Sequence, residues 1–384
     1  MRALVVGGGV AGLTISRALA LRGIDVKVFE RAAGPEARQD RGLGLWDVSQ
    51  KCLVEVGLGE FLRQQAFFTK PASYRDVRGT WLSSCRSSEK NGRRVACIQQ
   101  SHLLKALAGE GAARLDIGWN KDLEHMEQAS NKVKVRFRDG TEEEGNILIG
   151  ADGCFSTVRR LVFPDSKMAF TGKTCYSNIV DRPLGSLAFE TLGRLKATGS
   201  PLRIAMVPLK GDRLFWFITV HGDREGPADV PVEVLEQLSS WHEPVPSILR
   251  SSIKQGGCKS GAILWEPVHE LTRPLSSWSS GRAVLLGDAC HPLSPNLAQG
   301  AALSIESAVK LADALAQSKG DHTAAFETHR RSMQERVRAC ARVTEFTKVL
   351  AKFPEASGFM SYVPRAINGF VFDAFLNHSL QSQG

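Results

Sequence analysis

Four residues near the start of the chain have the types and spacing to hold a phosphate-bearing ligand: Gly7, Gly9, Gly12 and Glu30. In this pattern the first glycine permits a tight turn and the second lets the backbone approach a pyrophosphate. The third allows a helix to pack close to the strand before it. Val10 and Ala11 fall inside the turn, where the N–H groups and positive dipole end of the helix face the phosphates. Glu30 stands eighteen residues beyond Gly12, placed to accept hydrogen bonds from ribose hydroxyls, with Arg31 beside it as a further contact. A second group lies far along the chain. Asp288 follows the apolar residues 283–286 and Gly287, and Pro295, Gln299, Gly300 and Ala301 come after it. A carboxylate at the carboxyl end of a buried strand lies where doubly wound sheets bind ligands. Between the two groups, residues 150–160 read GADGCFSTVRR and contain Asp152 and Gly153.

Residues 3–6 form an apolar run suited to a buried parallel strand, and a helical pattern follows with Leu13, Ala18, Leu19 and Leu21 as its stripe. Gly23 can stop that helix, and residues 24–29 supply a second strand. Strand, turn, helix, strand and acid thus occur in order within one βαβ unit. Residues 101–109 predict another helix with Ser101 as N-cap, and Asp139-Gly140 suits a hairpin turn. Residues 203–209 and 213–220 predict paired strands around a Lys-Gly-Asp turn, and from Gly300 the pattern is helical to about Leu350. A helix opening at Gln299-Gly300 can aim its amides at an electron-rich ring edge.

Bulk composition excludes several classes. The net charge of +9 comes from Lys and Arg spread along the chain without a nucleic-acid-binding motif. No nucleic-acid partner is therefore expected, although a basic surface favours anionic ligands. The eight cysteines stand singly, with no CxxC and no Cys/His cluster at metal-ligand spacing, so reduced thiols and no metal are expected. No apolar stretch is long enough to span a bilayer, and Met1 lies directly against the first strand. The expectation is a cytoplasmic protein with no integral membrane segment, a monomer or homodimer.

The motifs GGGVAG with Glu30, GADGCFSTVRR and GDACHPLSPNLAQG resemble, in order and spacing, those of the single-component class A FAD-dependent monooxygenases of the p-hydroxybenzoate hydroxylase type. The resemblance spans the chain, although its specific parts total about seventy residues. It implies an α/β fold: a Rossmann-like FAD-binding domain, an inserted mixed β-sheet substrate domain and C-terminal helices. The corresponding segments are 1–70, 101–166 and 271–350 for the FAD-binding domain, 71–100 and 167–270 for the substrate domain, and 351–384 for a tail. Gly7, Gly9 and Gly12 with Glu30 would hold the ADP half of FAD, and Asp288 the ribityl chain. Gln299 and Gly300 would approach the isoalloxazine, and Asp152 and Gly153 would serve FAD and NAD(P)H handling. Arg41 is a candidate phosphate or ribose contact, and Gln100 stands where many members carry arginine. Two other departures are Tyr176-Ser177, where an aromatic-Arg pair is frequent, and Glu306-Ser307, where Glu-Asp is frequent.

The implied chemistry is reduction of FAD by NAD(P)H and reaction with O2 to a C4a-hydroperoxyflavin. A hydroxyl then passes to a small organic, aromatic substrate. No catalytic triad is required or found, since the cofactor carries the hard step. Tyr176 and His221, both in the expected substrate sheet, are candidates for assisting deprotonation of a phenolic substrate. An epoxidase or Baeyer–Villiger-like variant would use the same hydroperoxide on the same fold, whereas a flavin reductase or dehydrogenase would reduce FAD without forming it. A flavin-binding protein without turnover is the non-enzymatic alternative.

Overall fold

The computed structural model describes residues 1–34, 40–69, 73–83, 94–109, 114–183, 189–194, 196, 199–222, 225, 230–256, 263–293 and 299–352. In chain order, the elements that build the site begin with β1 (Arg2–Val6), α1 (Val10–Leu21), β2 (Asp25–Phe29), β3 (Gly42–Leu45) and α2 (Gln100–Ala108). Next come β4 (Ile147–Gly150), α3 (Thr157–Val162), β5 (Met168–Asp181), β6 (Pro201–Leu209), β7 (Arg213–His221), α4 (Val232–Ser239) and α5 (Val245–Lys254). β8 (Leu264–Leu271), β9 (Ala283–Leu285), α6 (Gly300–Gln317) and α7 (His322–Lys352) complete the set.

β1 carries no polar residue after Arg2 because both faces of its sheet are covered. It pairs in parallel with β2 on one side and β4 on the other, and β9 joins parallel beyond β4. On one face α1 and α6 pack through Leu13, Ile15, Leu19, Ile305, Ala308 and Leu311. On the other face an antiparallel ribbon lays Val133, Val135 and Phe137 against Leu4, Val6 and Phe29. Of the stripe expected for α1, Leu13, Ala18 and Leu19 are buried, whereas Leu21 in the last turn faces solvent. The helical C-terminal pattern divides into α6 and α7 at residues 318–321, where Lys319 and Gly320 take positive φ.

The second sheet has seven strands in the order β8, β5, β7, β6, Phe189–Arg194, Ser73–Arg75 and Trp81–Ser83. β6 and β7 form the expected hairpin, with Gly211 and Asp212 in the left-handed conformation at the turn. Alternation gives this sheet two apolar faces. One packs Tyr176, Val180, Ile204, Trp216 and Ile218 under α4 and α5. The other, with Ile179, Ala205, Phe215 and Phe217, faces β3 and its neighbour Val95–Gln99. Gly42 makes this approach possible, since a Cβ there would lie 2.5 Å from Phe215 Cβ. Burying each such phenylalanine contributes about 2–3 kcal/mol, so the seam between the sheets is held largely by apolar contact. Within the 71–100 segment, Ser73–Arg75 and Trp81–Ser83 join this sheet, whereas Val95–Gln99 pairs with β3.

Candidate active site

The glycine turn after β1 is built as a cradle. Gly7 has φ +108°, and a Cβ there would fall 2.3 Å from the Ala151 carbonyl oxygen. A Cβ on Gly12 would fall 1.8 Å from the Gly7 oxygen, so α1 can lie this close to β1 only without side chains at both positions. Gly9 is the N-cap of α1, and no side chain caps the helix. Its first-turn amides, on Val10 and Ala11 among others, therefore point outward without intrahelical partners. Glu30 is buried at the end of β2; its Oε2 accepts from Gly8 N at 2.6 Å and its Oε1 from Ala32 N at 2.9 Å. An ionised carboxylate has further lone pairs for ribose hydroxyls. Arg31 is exposed beside it.

The distant GD turn folds onto this cradle. Gly287, at φ +59°, sits so close that a Cβ would lie 2.9 Å from Ala11 Cβ and 2.8 Å from Ser304 Oγ. This contact sets Asp288 beside the start of α6, its Oδ1 3.9 Å from where a Gly300 side chain would begin. Asp288 is exposed to solvent, yet protein atoms surround its carboxyl closely. Burial, and then the negative charge of Glu266, push its pKa up to about 6, while Arg41 pulls the other way. Gln299 is the N-cap of α6 and is buried, with Oε1 lacking a partner among the described residues. Gly300 and Ala301 follow in the first turn, and Pro295 lies outside the described residues.

A carboxylate, an orphaned buried amide oxygen and an uncapped helix start converge with a glycine-lined turn, a set of groups that fits a flavin dinucleotide. The family model for the FAD binding domain matches residues 1–347. The chain belongs to the class A FAD-dependent monooxygenases. FAD is the cofactor of this family and NAD(P)H its reductant. The monooxygenase is 30% identical over 319 residues to aurachin C monooxygenase/isomerase of Stigmatella aurantiaca, covering 81% of this chain and 80% of that one. It is 27% identical over 360 residues to 6-hydroxynicotinate 3-monooxygenase of Bordetella bronchiseptica, covering 89% and 90%. Among solved structures, Klebsiella pneumoniae HpxO complexed with FAD and uric acid superposes with a TM-score of 0.81 at 24% identity, covering 98% and 97%. That likeness establishes the fold.

Several expected site residues have other partners in the structure. Asp152 caps α3: its Oδ2 accepts from the backbone of Thr157 at 2.7 Å and Val158 at 3.1 Å, and its Oδ1 from Ser156 Oγ at 2.5 Å. Its part in the DG turn is to hold Gly153 (φ +81°) against the helix start. Arg41 Nη1 pairs with Glu266 Oε2 at 2.7 Å, across the seam to the seven-stranded sheet. Gln100 opens α2, and its backbone N–H donates to the Arg41 carbonyl at 2.8 Å. Ser101 is not the cap expected of it. Asp40 does that work from a distant loop, accepting from Ser101 N at 2.9 Å and Ser101 Oγ at 2.6 Å.

The two proton-transfer candidates also change character. Tyr176 is fully buried on the face of the sheet covered by α4 and α5, so it is a core residue. His221 ends β7 opposite Lys173, and burial with that lysine nearby pushes its pKa down to about 4. A neutral imidazole this weakly basic is poorly matched to deprotonating a phenol.

The structure adds residues that motif reading passed over. Arg159, 1% exposed, donates to the carbonyls of Cys154 at 2.5 Å and Ala289 at 2.9 Å, tying the DG turn to the GD turn. Arg203 lies with its guanidinium 5.6 Å from the Phe217 ring, on the same face of β6 as Ala205. Only the GADGCFSTVRR motif offered a signal for the first; nothing local marked the second. Among the described residues no His, Cys, Asp and Glu group could hold a metal, and no helix is long and apolar enough to cross a membrane.

Proposed function

We propose that this monooxygenase hydroxylates a small, planar aromatic molecule in the cleft between the Asp288 turn and the seven-stranded sheet. The observation that carries this reading is the seam itself: the apolar face with Phe215, Phe217 and Cys175 is the face of the sheet on which Glu266 pairs with Arg41, and Asp288 feels both of those charges. Bound FAD, reduced by NAD(P)H, would supply the activation of O2 and the delivery of one oxygen atom.

The protein's own residues bind, orient and exclude water. The Gly7 to Gly12 turn and the amides of Val10 and Ala11 would take the diphosphate, and Glu30 a ribose hydroxyl. Asp288 would accept from a ribityl hydroxyl, and the start of α6 would stabilise negative charge on a ring edge held there. Phe215 and Phe217 keep the wall dry, which strengthens every polar contact made against it. The guanidinium of Arg203 gives this wall a positive group for an electron-rich or anionic ring. Relatives named 6-hydroxynicotinate 3-monooxygenase and 2-heptyl-3-hydroxy-4(1H)-quinolone synthase support an aromatic heterocycle.

The test is to load the protein with FAD and follow NAD(P)H oxidation with and without aromatic heterocycles, using 18O2 and mass analysis of products. Ligand-stimulated oxidation with one 18O atom in the product is expected. Tight FAD binding with no ligand stimulation and no oxygenated product across the panel would sink the reading.

A further inference from the structure

Glu266 stands at the centre of the seam, and no step above uses it. It lies on β8 directly opposite Cys175 of β5, and residues directly opposite in a sheet share a face. Cys175 packs against the apolar wall of Phe215 and Phe217, so Glu266 lies on that face of the sheet and not on the face covered by α4 and α5. Its negative charge is felt at Asp288, Cys154 and Cys175, so it stands within electrostatic reach of the GD turn and the DG turn. One oxygen pairs with Arg41 at 2.7 Å, and the side chain is still 55% exposed. The result is a half-open acceptor at the edge of an apolar surface, beside the carboxylate assigned to the flavin's ribityl chain.

We propose that Glu266 is a specificity-determining residue that accepts a hydrogen bond from a ring N–H of the substrate. This rests on the hydroxylase reading and deepens it by naming the class: lactam-type N-heteroaromatics that carry an N–H donor. An aromatic without that donor leaves a partly desolvated carboxylate unsatisfied. Hydrogen bonds to charged groups carry enough energy for about a tenfold or greater preference in affinity. Arg41 pairs with the carboxylate and holds it in place, acting as its positioning partner.

The experiment uses the oxidised, FAD-loaded protein and matched probes: 4(1H)-quinolone and 1-methyl-4-quinolone, and 2-pyridone and 1-methyl-2-pyridone. Dissociation constants are read from perturbation of the flavin absorbance, without turnover. At least one N–H probe is expected to bind about tenfold or more tightly than its N-methyl partner. Glu266→Gln should reduce that ratio below about threefold, and Glu266→Asp should recover part of it. An equal ratio in wild type and E266Q overturns the assignment, as does failure of every N–H probe to bind wild type. If an aromatic without a ring N–H stimulates NAD(P)H oxidation with 18O incorporation while the N–H probes fail, the hydroxylase reading stands and the Glu266 assignment falls.

Discussion

At the scale of single residues, Asp288 has the sharpest pH consequence. Its carboxyl is pushed up to about 6 by burial and by Glu266, so it is half protonated near pH 6. A hydroxyl donor binds the ionised form, so FAD affinity is expected to rise with pH through about 6 and level off above it. Where only the ionised form binds, the change approaches tenfold per pH unit on the acid side. Asp288→Asn should bind FAD more weakly at pH 8 and show little of this dependence. Fluorescence titration of FAD between pH 5 and 8 measures both, and a flat wild-type profile would remove Asp288 from the binding site. The sequence exposed Asp288 because a carboxylate directly after a buried strand and Gly287 is a local pattern. Glu266 and Arg41 were harder to read, because their pairing joins residues 225 apart in the chain. Arg159 was marked only by its place in the GADGCFSTVRR motif: its partners are backbone carbonyls, which leave no mark on residue types.

At the scale of elements, period and turn chemistry made β1, α1, β2 and the β6–β7 hairpin legible, since each is decided by neighbours a few residues away. The start of α2 was misread for the opposite reason. Its cap comes from Asp40, sixty-one residues before Ser101, and local sequence offers Ser101 in its place. The same limit hid the role of Gly42, whose missing side chain lets β3 dock on Phe215. Gly42→Ala places a Cβ at 2.5 Å from Phe215 Cβ, between two strands that are each paired on their own sheets. Relief requires backbone movement, so a loss of about 1–3 kcal/mol is expected. Combining it with Phe215→Ala should cost less than the sum of the two single changes, because the small residue removes the clash. Denaturant midpoints of the four proteins measure this coupling, and strict additivity would show that the seam adapts without strain.

At the scale of the whole molecule, α6 and α7 close the fold over a buried polar cluster. His291 and His329 both lie against Trp278, with ring centroids 5.5 and 5.6 Å away. His329 Nε2 bonds Ser307 Oγ at 2.8 Å, while His291 Nε2 and His329 Nδ1 are buried without partners among the described residues. Burial lowers both imidazoles, to about 4 for His291 and about 3 for His329, where the neighbouring His291 adds to the effect. Each is therefore neutral in the folded state at pH 6, while the unfolded chain takes up a proton near 6.5. The stability each contributes is present above pH 6.5 and is lost as pH falls toward the folded value, at up to about 1.4 kcal/mol per pH unit. Asp288 acts in the opposite sense: its raised pKa favours the folded state at low pH and loses that contribution as pH rises from about 4 to 6. The histidine term is isolated by measuring stability from pH 4.5 to 7.5 in Asp288→Asn with and without His329→Gln. Glutamine retains a polar group toward Ser307 but has no proton to gain, so the acid-side slope should become shallower by about 1 kcal/mol per pH unit. Parallel curves would mean that His329 is protonated as readily in the fold as in the unfolded chain, and that the contact between α6 and α7 is open to water.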